Sequence, residues 1–267
     1  MNTQKITFIG AGKMATAIAS GLVKKGMAKE NIFAFDVSEE AAKKFEEATK
    51  VQCVKDLKEA LKESDIVLLA VKPQYAKEAL AGIQAHIKEK LLLSICAGLS
   101  IDTLKEYSSC PRIVRVMPNT PALVGEGMSG YAFSENILAE DRKTAENILS
   151  AIGISREFPE KLLDAVTGLS GSGPAYVIEF IMALTDGGVY AGLPRDAAYK
   201  MALQTVAGTA AMLKNSADHP AVLRDAVISP GGTTARGVAA LDAHAFRKTV
   251  MDAVIAATER SAELNRK

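Results

Sequence analysis

The sequence predicts an α/β protein with a Rossmann-type N-terminal domain and an all-α C-terminal domain. Three observations carry this. A strand-like run at the start of the chain ends in a glycine-rich turn. Short apolar runs then alternate with helical stretches through the first half. Beyond about residue 160 the β-branched clusters give way to Ala, Leu and Met.

The elements follow in order. Lys5–Gly10 (KITFIG) reads as a strand, and Lys13–Lys25 as a helix with Ile18, Leu22 and Val23 on one face. Asn31–Asp36 is a second strand and Glu39–Ala48 a charged helix. Ile66–Val71 (IVLLAV) and Leu91–Cys96 (LLLSIC) are almost wholly apolar, as strands of a parallel sheet covered on both faces must be. Arg112–Met117 is a further strand. This strand–helix–strand repetition argues for a doubly wound sheet. In the second half Pro174–Ala191, Pro194–Asn215 and Asp242–Asn265 read as helices whose Ala-rich faces suit close packing or a dimer interface. The composition shift falls near Glu157–Lys161, which sets domains of 1–160 and 161–267.

Composition narrows the function. The 267 residues are 48% hydrophobic and 24% charged, with net charge +1. No polybasic footprint points to nucleic acid, and no long apolar run points to a membrane span. Met1–Lys5 leads straight into a strand without a signal-peptide pattern, so a cytoplasmic protein is expected. Cys53, Cys96 and Cys110 have neither disulfide nor metal spacing and read as reduced thiols, so no metal is expected. His86, His219 and His244 are scattered, with no Ser-His-Asp pattern around them.

Gly10-Ala11-Gly12-Lys13-Met14-Ala15 has the G-x-G-x-x-G/A pattern between a strand and a helix, the context that makes it a dinucleotide-binding fingerprint. Gly10 permits the tight turn, Gly12 lets backbone approach a pyrophosphate, and Ala15 lets helix and strand pack closely. The helix N-terminus offers free N–H groups and its positive dipole end to phosphates. Asp36 closes the second strand. There a carboxylate either accepts the adenosine ribose hydroxyls and repels a 2′-phosphate, favouring NADH, or caps the helix beginning near Glu39. Ala70-Val71-Lys72-Pro73 and Cys96-Ala97-Gly98 close two further strands and should edge the nicotinamide side of the crevice, although Lys72 also reads as a solvated loop residue.

FIGAGKMA (Phe8–Ala15), AVKP (Ala70–Pro73), MPNTP (Met117–Pro121), TGLSGSGPAY (Thr167–Tyr176) and PAVLRDAVISPGGTTARGVAALD (Pro220–Asp242) together resemble pyrroline-5-carboxylate reductase across essentially the whole chain. Ile228 departs from the small residue common in relatives. The resemblance implies reduction of L-1-pyrroline-5-carboxylate to L-proline by hydride from NADPH or NADH, the last step of proline synthesis. Relatives lean to NADPH, whereas Asp36 leans to NADH. It also implies that 161–267 is a dimerisation and substrate-binding domain, in a homodimer that some members extend into rings.

The implied substrate is a cyclic imine bearing one carboxylate. Ser229-Pro230-Gly231-Gly232-Thr233-Thr234 suits it. The two glycines let successive N–H groups converge on one anion, and the helix that follows adds its dipole. Ser229 would donate to the carboxylate and Thr234 would reach the ring nitrogen. The bland alternative is a helix cap. Ser170-Gly171-Ser172-Gly173-Pro174-Ala175 opens another helix, where its glycines serve either close ligand approach or helix packing. Asn119 either holds the nicotinamide carboxamide or caps a turn. No strong acid stands in the loop, so the imine either arrives protonated or gains its proton through Thr234 and water. The G-x-x-G-x-G-x-x-x-K helix of β-hydroxyacid dehydrogenases is missing, since no lysine follows Tyr176 until Lys200. A coenzyme sensor that had lost catalysis would not need Ser229, both glycines and Thr234.

Overall fold

The computed structural model describes residues 4–265. One seven-stranded sheet has the order β2-β1-β3-β4-β5-β6-β7. Its strands are β1 (Ile6–Ile9), β2 (Ile32–Phe35), β3 (Ile66–Leu69), β4 (Leu91–Ser94), β5 (Ile113–Met117), β6 (Gly127–Phe133) and β7 (Gly153–Glu157). β1 to β5 run parallel, β6 is antiparallel to β5, and β7 is parallel to β6. Ile9 pairs in register with both Phe35 and Leu69, and Leu69 with Ser94. The carboxyl ends of four adjacent strands therefore finish level. The turns at Gly10, Asp36, Ala70 and Cys96 share that edge, where the strand order reverses around β1 and open sheets bind ligands.

Eight helices accompany the sheet: α1 (Lys13–Lys24), α2 (Glu39–Thr49), α3 (Leu57–Glu63), α4 (Ala76–Leu80), α5 (Gln84–Ile87), α6 (Ile101–Ser108), α7 (Ala139–Leu149) and α8 (Leu163–Val166). The period-2 alternation of each strand feeds two cores. Ile6, Phe8, Ile66 and Leu68 pack with Ile18, Leu22 and Phe45 on one side. Ile9, Val67, Leu69 and Leu92 pack with Leu80 and Leu104 on the other. Each such side chain, fully buried, is worth about 1.5–3 kcal/mol. Burial on both faces is why these strands read as continuous apolar runs.

β6 and β7 were not anticipated. They pair through glycine: Gly127 lies opposite Gly153, and a Cβ on Gly153 would stand 2.0 Å from the Gly127 carbonyl oxygen. Backbones this close leave no room for the β-branched residues that mark a strand in sequence.

The remaining helices are α9 (Gly173–Tyr190), α10 (Arg195–Lys214), α11 (Pro220–Ala226), α12 (Thr233–Ala243) and α13 (Phe246–Asn265). The expected single helix over Asp242–Asn265 is two, separated at His244–Ala245, where Ala245 takes φ +53. No glycine or proline marks that break. By contacts the chain forms two compact units, Gly173–Ile255 and the rest. The contact boundary thus lies at 172/173, beyond the composition shift near residue 160. Segment 161–172 and the end of α13 pack with the sheet.

In the helical unit α9 and α10 pack closely at Gly188 and Ala198, where an added Cβ would lie 3.1 Å from the Ala198 methyl. Few of its residues are buried. Ile178, Met182, Tyr199, Met201, Met251 and Tyr190 (96% exposed) face outward. Among the described residues no helix is long and apolar enough to cross a membrane, and no cluster of His, Cys, Asp and Glu could hold a metal.

Candidate active site

Gly10 has φ +100, and a Cβ there would lie 2.7 Å from the Ala70 carbonyl oxygen. Only glycine lets β1 turn beside β3 in this way. Gly12 is different: a Cβ there would meet nothing within 4 Å, so its open side is free for a close-approaching group. Gly12 is the N-cap of α1 without a side-chain cap, and no acidic residue stands in the first turn. By contrast Ser38, Asp56 and Ser100 cap α2, α3 and α6 with their own side chains. Lys13 is exposed and Met14 half-buried, whereas Ala11 and Ala15 are buried against the sheet.

Asp36 is held from two sides. Its Oδ2 accepts the Ala11 N–H at 2.7 Å and its Oδ1 accepts the Ser38 N–H at 2.8 Å. The cap of α2 is Ser38, not Asp36. The carboxylate therefore ties the end of β2 to the glycine turn, and each oxygen keeps a lone pair for a hydroxyl donor.

At β3 and β4 the turn backbones line the edge. Lys72 and Pro73 are exposed, and Pro73 opens a short 3-10 turn. Val71 is half-buried. Cys96 contributes only backbone: its thiol is buried, donates to the Val71 carbonyl at 3.2 Å, and has its pKa pushed up to about 11 by burial. Ala97 is exposed, and Gly98 turns the chain at φ +77.

Asn119 is fully engaged by protein. Its amide donates to Ser170 Oγ at 3.2 Å and to the Ser170 carbonyl at 3.3 Å, and its Oδ1 accepts the Met128 N–H at 2.9 Å. It braces β5, β6 and a π-helical turn over Thr167–Gly171 that the sequence reading missed. Gly171 leaves room for Met117, whose Cε would lie 2.7 Å from an added Cβ. The Gly168/Gly171 spacing was the available signal for a widened turn, a feature frequent at functional sites.

The Ser229–Thr234 loop forms a turn closed by the Gly232 N–H donating to the Ser229 carbonyl at 3.0 Å. That bond uses one donor of the expected nest. The N–H groups of Gly231, Thr233 and Thr234 remain, the last two ahead of the helical ladder of α12. Gly231 has φ +70, and a Cβ on Gly232 would stand 2.2 Å from Ser229 Oγ. The two glycines serve different ends: Gly231 takes a left-handed dihedral, and Gly232 leaves room for the Ser229 hydroxyl that folds over it. Neither the Ser229 nor the Thr234 hydroxyl caps α12 among the described residues, which removes the plain-cap alternative.

The crevice edge therefore fits a dinucleotide: an open Gly12, an uncapped helix start, and a carboxylate at the end of β2. Comparison with known proteins agrees. Residues 5–98 match the family profile described as NADP oxidoreductase coenzyme F420-dependent, and residues 160–264 match that described as pyrroline-5-carboxylate reductase dimerisation. A pyrroline-5-carboxylate reductase of Arabidopsis thaliana is 45% identical, covering 98% of this chain and 95% of its own. One of Methanosarcina acetivorans is 44% identical over the whole of both chains. The crystal structure of Plasmodium falciparum pyrroline carboxylate reductase with NADP bound superposes with a TM-score of 0.89 at 39% identity, covering 99% of each chain. With this agreement across both halves, the chain belongs to the pyrroline-5-carboxylate reductase family.

Proposed function

We propose that the chain reduces L-1-pyrroline-5-carboxylate to L-proline, the final step of proline biosynthesis. The observation that carries this reading is the Ser229–Thr234 turn, which holds two uncommitted hydroxyls and a set of backbone donors at one helix start. When bound, the nicotinamide coenzyme supplies hydride to the imine carbon. The chain's own residues bind and orient. Gly10, Ala11, Gly12, Lys13 and Met14 present the turn and helix start to the pyrophosphate. Asp36 accepts the ribose hydroxyls, and Ala70–Pro73, Cys96–Gly98 and Asn119 border the nicotinamide end. Ser229 and the N–H groups of Gly231, Thr233 and Thr234 receive the carboxylate, and Gly232 keeps Ser229 in place. Thr234 donates to or accepts from the ring nitrogen. Positioning of this kind replaces an improbable encounter with a fixed geometry. No group in the loop is acidic enough to protonate the imine, which arrives protonated or gains its proton through Thr234 and water.

The finer reading of the coenzyme is NADH. The negative charge of Asp36 opposes a 2′-phosphate, and no arginine follows it closely, the nearest cations after it being Lys43 and Lys44. The assembly is a homodimer formed through the exposed apolar faces of α9, α10 and α13, because monomers rarely leave so much apolar surface in water. A larger ring of dimers would extend it. A cytoplasmic location agrees with three unpaired cysteines. The test is direct: protein, the imine acid and either NADPH or NADH are mixed, and absorbance of the reduced nicotinamide is followed. Substrate-dependent oxidation is expected; none with either coenzyme removes the proposal.

A further inference from the structure

Arg115 lies within β5 yet is only 8% exposed, and both ends of its guanidinium are bonded. Nη1 donates to Glu160 Oε1 at 2.9 Å and Nη2 to Asn265 Oδ1 at 3.4 Å. The same Glu160 oxygen accepts the N–H of Ile101, the first residue of α6, at 2.7 Å. The Asn265 amide donates to Asp164 Oδ1, which also accepts the Ser261 hydroxyl at 2.7 Å. One chain of bonds thus joins the start of α6, the middle of β5, the segment before the π-helical turn and the end of α13.

Its far end meets the crevice edge. The Oδ1 of Asn265 lies 3.7 Å, and the Cβ of Leu264 3.9 Å, from where a Cβ on Gly98 would stand. The last turn of α13 therefore lies beside the turn that follows β4, on the side a Gly98 side chain would occupy. Arg115 is paired in register with Ser94, the last residue of β4, so its side chain leaves the sheet at the pair of strands that deliver Gly98 and Asn119 to the edge. A buried ion pair is a poor device for stability, because apolar residues of similar volume commonly serve as well. It does fix geometry, since each partner tolerates few positions.

We propose that Asn265 is a positioning residue for the nicotinamide end of the coenzyme: held by Arg115 and Asp164, it sets the Gly98 turn at the crevice wall. This rests on the coenzyme reading given above. Every member of the network belongs to the compact unit that carries the coenzyme turns, and none comes from the Ser229–Thr234 loop, so its loss should act on coenzyme rather than on the imine acid.

The experiment uses full-length protein with Asn265→Ala and, separately, Ser261→Ala. NADPH and NADH are titrated calorimetrically, and KM is measured for coenzyme and for the imine acid. Network substitutions of this kind shift coupling by a factor of a few, so Asn265→Ala should raise coenzyme Kd and KM about fivefold while leaving the imine KM unchanged. Ser261→Ala keeps the Arg115–Asn265 bond and should shift coenzyme affinity about twofold in the same direction. Unchanged coenzyme affinity with a lowered melting temperature would make the network a structural brace and overturn the proposal, as would an equal rise in both KM values. If Asn265→Ala does not fold, unchanged coenzyme affinity in Ser261→Ala overturns it. Wild-type protein that binds neither coenzyme removes the underlying reading, a result distinct from a normal wild type with unaffected variants.

Discussion

The Asp36 carboxylate and the Ala11 N–H meet at 2.7 Å, so the residue that closes β2 also fixes the glycine turn that closes β1. The proposed coenzyme specificity and the loop geometry therefore share one side chain. Asp36→Asn keeps an acceptor for Ala11 and removes the charge that opposes a 2′-phosphate. It should raise kcat/KM with NADPH relative to NADH by about tenfold, or ~1.4 kcal/mol of differential transition-state binding. Steady-state kinetics with both coenzymes check this. A wild-type preference for NADPH well above tenfold would refute the electrostatic argument for Asp36.

Gly10 and Gly12 should fail in different ways. Gly10→Ala places a methyl against the Ala70 carbonyl at a positive φ, so it should lower stability by about 1–3 kcal/mol as well as weaken coenzyme binding. Gly12→Ala meets no protein atom and should leave the melting temperature near wild type while weakening coenzyme binding. Thermal denaturation beside coenzyme titration separates the two.

In the substrate loop, Thr234→Ala should lower kcat/KM for the imine acid at least about tenfold, or ~1.4 kcal/mol. Ser229→Ala should raise its KM. Gly232→Ala should reproduce much of the Ser229→Ala defect, because the new methyl displaces the Ser229 hydroxyl. Unchanged kinetics in Thr234→Ala would remove that residue from the mechanism.

Burial pushes the thiols of Cys53, Cys96 and Cys110 up to about 11. An unfolded thiol ionises near about 8.5. The folded chain therefore keeps these protons at pH values where the unfolded chain has released them. Stability conferred by the neutral thiols is full below that lower value and is lost as pH rises toward 11. The melting temperature should fall across this window. Near neutral pH a thiol reagent should react slowly with native protein and rapidly once it is denatured; fast labelling of native protein would contradict the burial of Cys96 and Cys110.

Residues that had to be apolar on both sides of the sheet were readable in sequence. Ile66–Leu69 and Leu91–Ser94 lie in the strands their composition implied, and Gly10–Ala15 forms a strand–turn–helix. What escaped detection depends on contact between backbones. β6 and β7 pair through Gly127 and Gly153, which carry no strand signal. The break falls on Ala245, itself the best helix former, with no glycine or proline beside it to mark the positive φ. The bonds of Asn119 and Arg115 were not legible because their partners, Ser170, Glu160 and Asn265, lie 45 to 150 positions away. Gly232 was legible as a glycine the loop needed, but not the hydroxyl that explains the need.

The bond from Ser261 to Asp164 spans 97 positions and brings the end of α13 back to the sheet. This has a consequence during synthesis. A nascent chain exposes β1 to β7 long before Ser261 and Asn265 leave the ribosome, so Asp164 and Arg115 wait in a nearly finished sheet without two of their partners. Domains generally fold from the N-terminus as they emerge. Here the emerging sheet must tolerate an unfinished polar interior until the last turn of α13 has emerged, and a ribosome stalled short of Ser261 would hold a chain whose Asp164 and Arg115 still lack those partners.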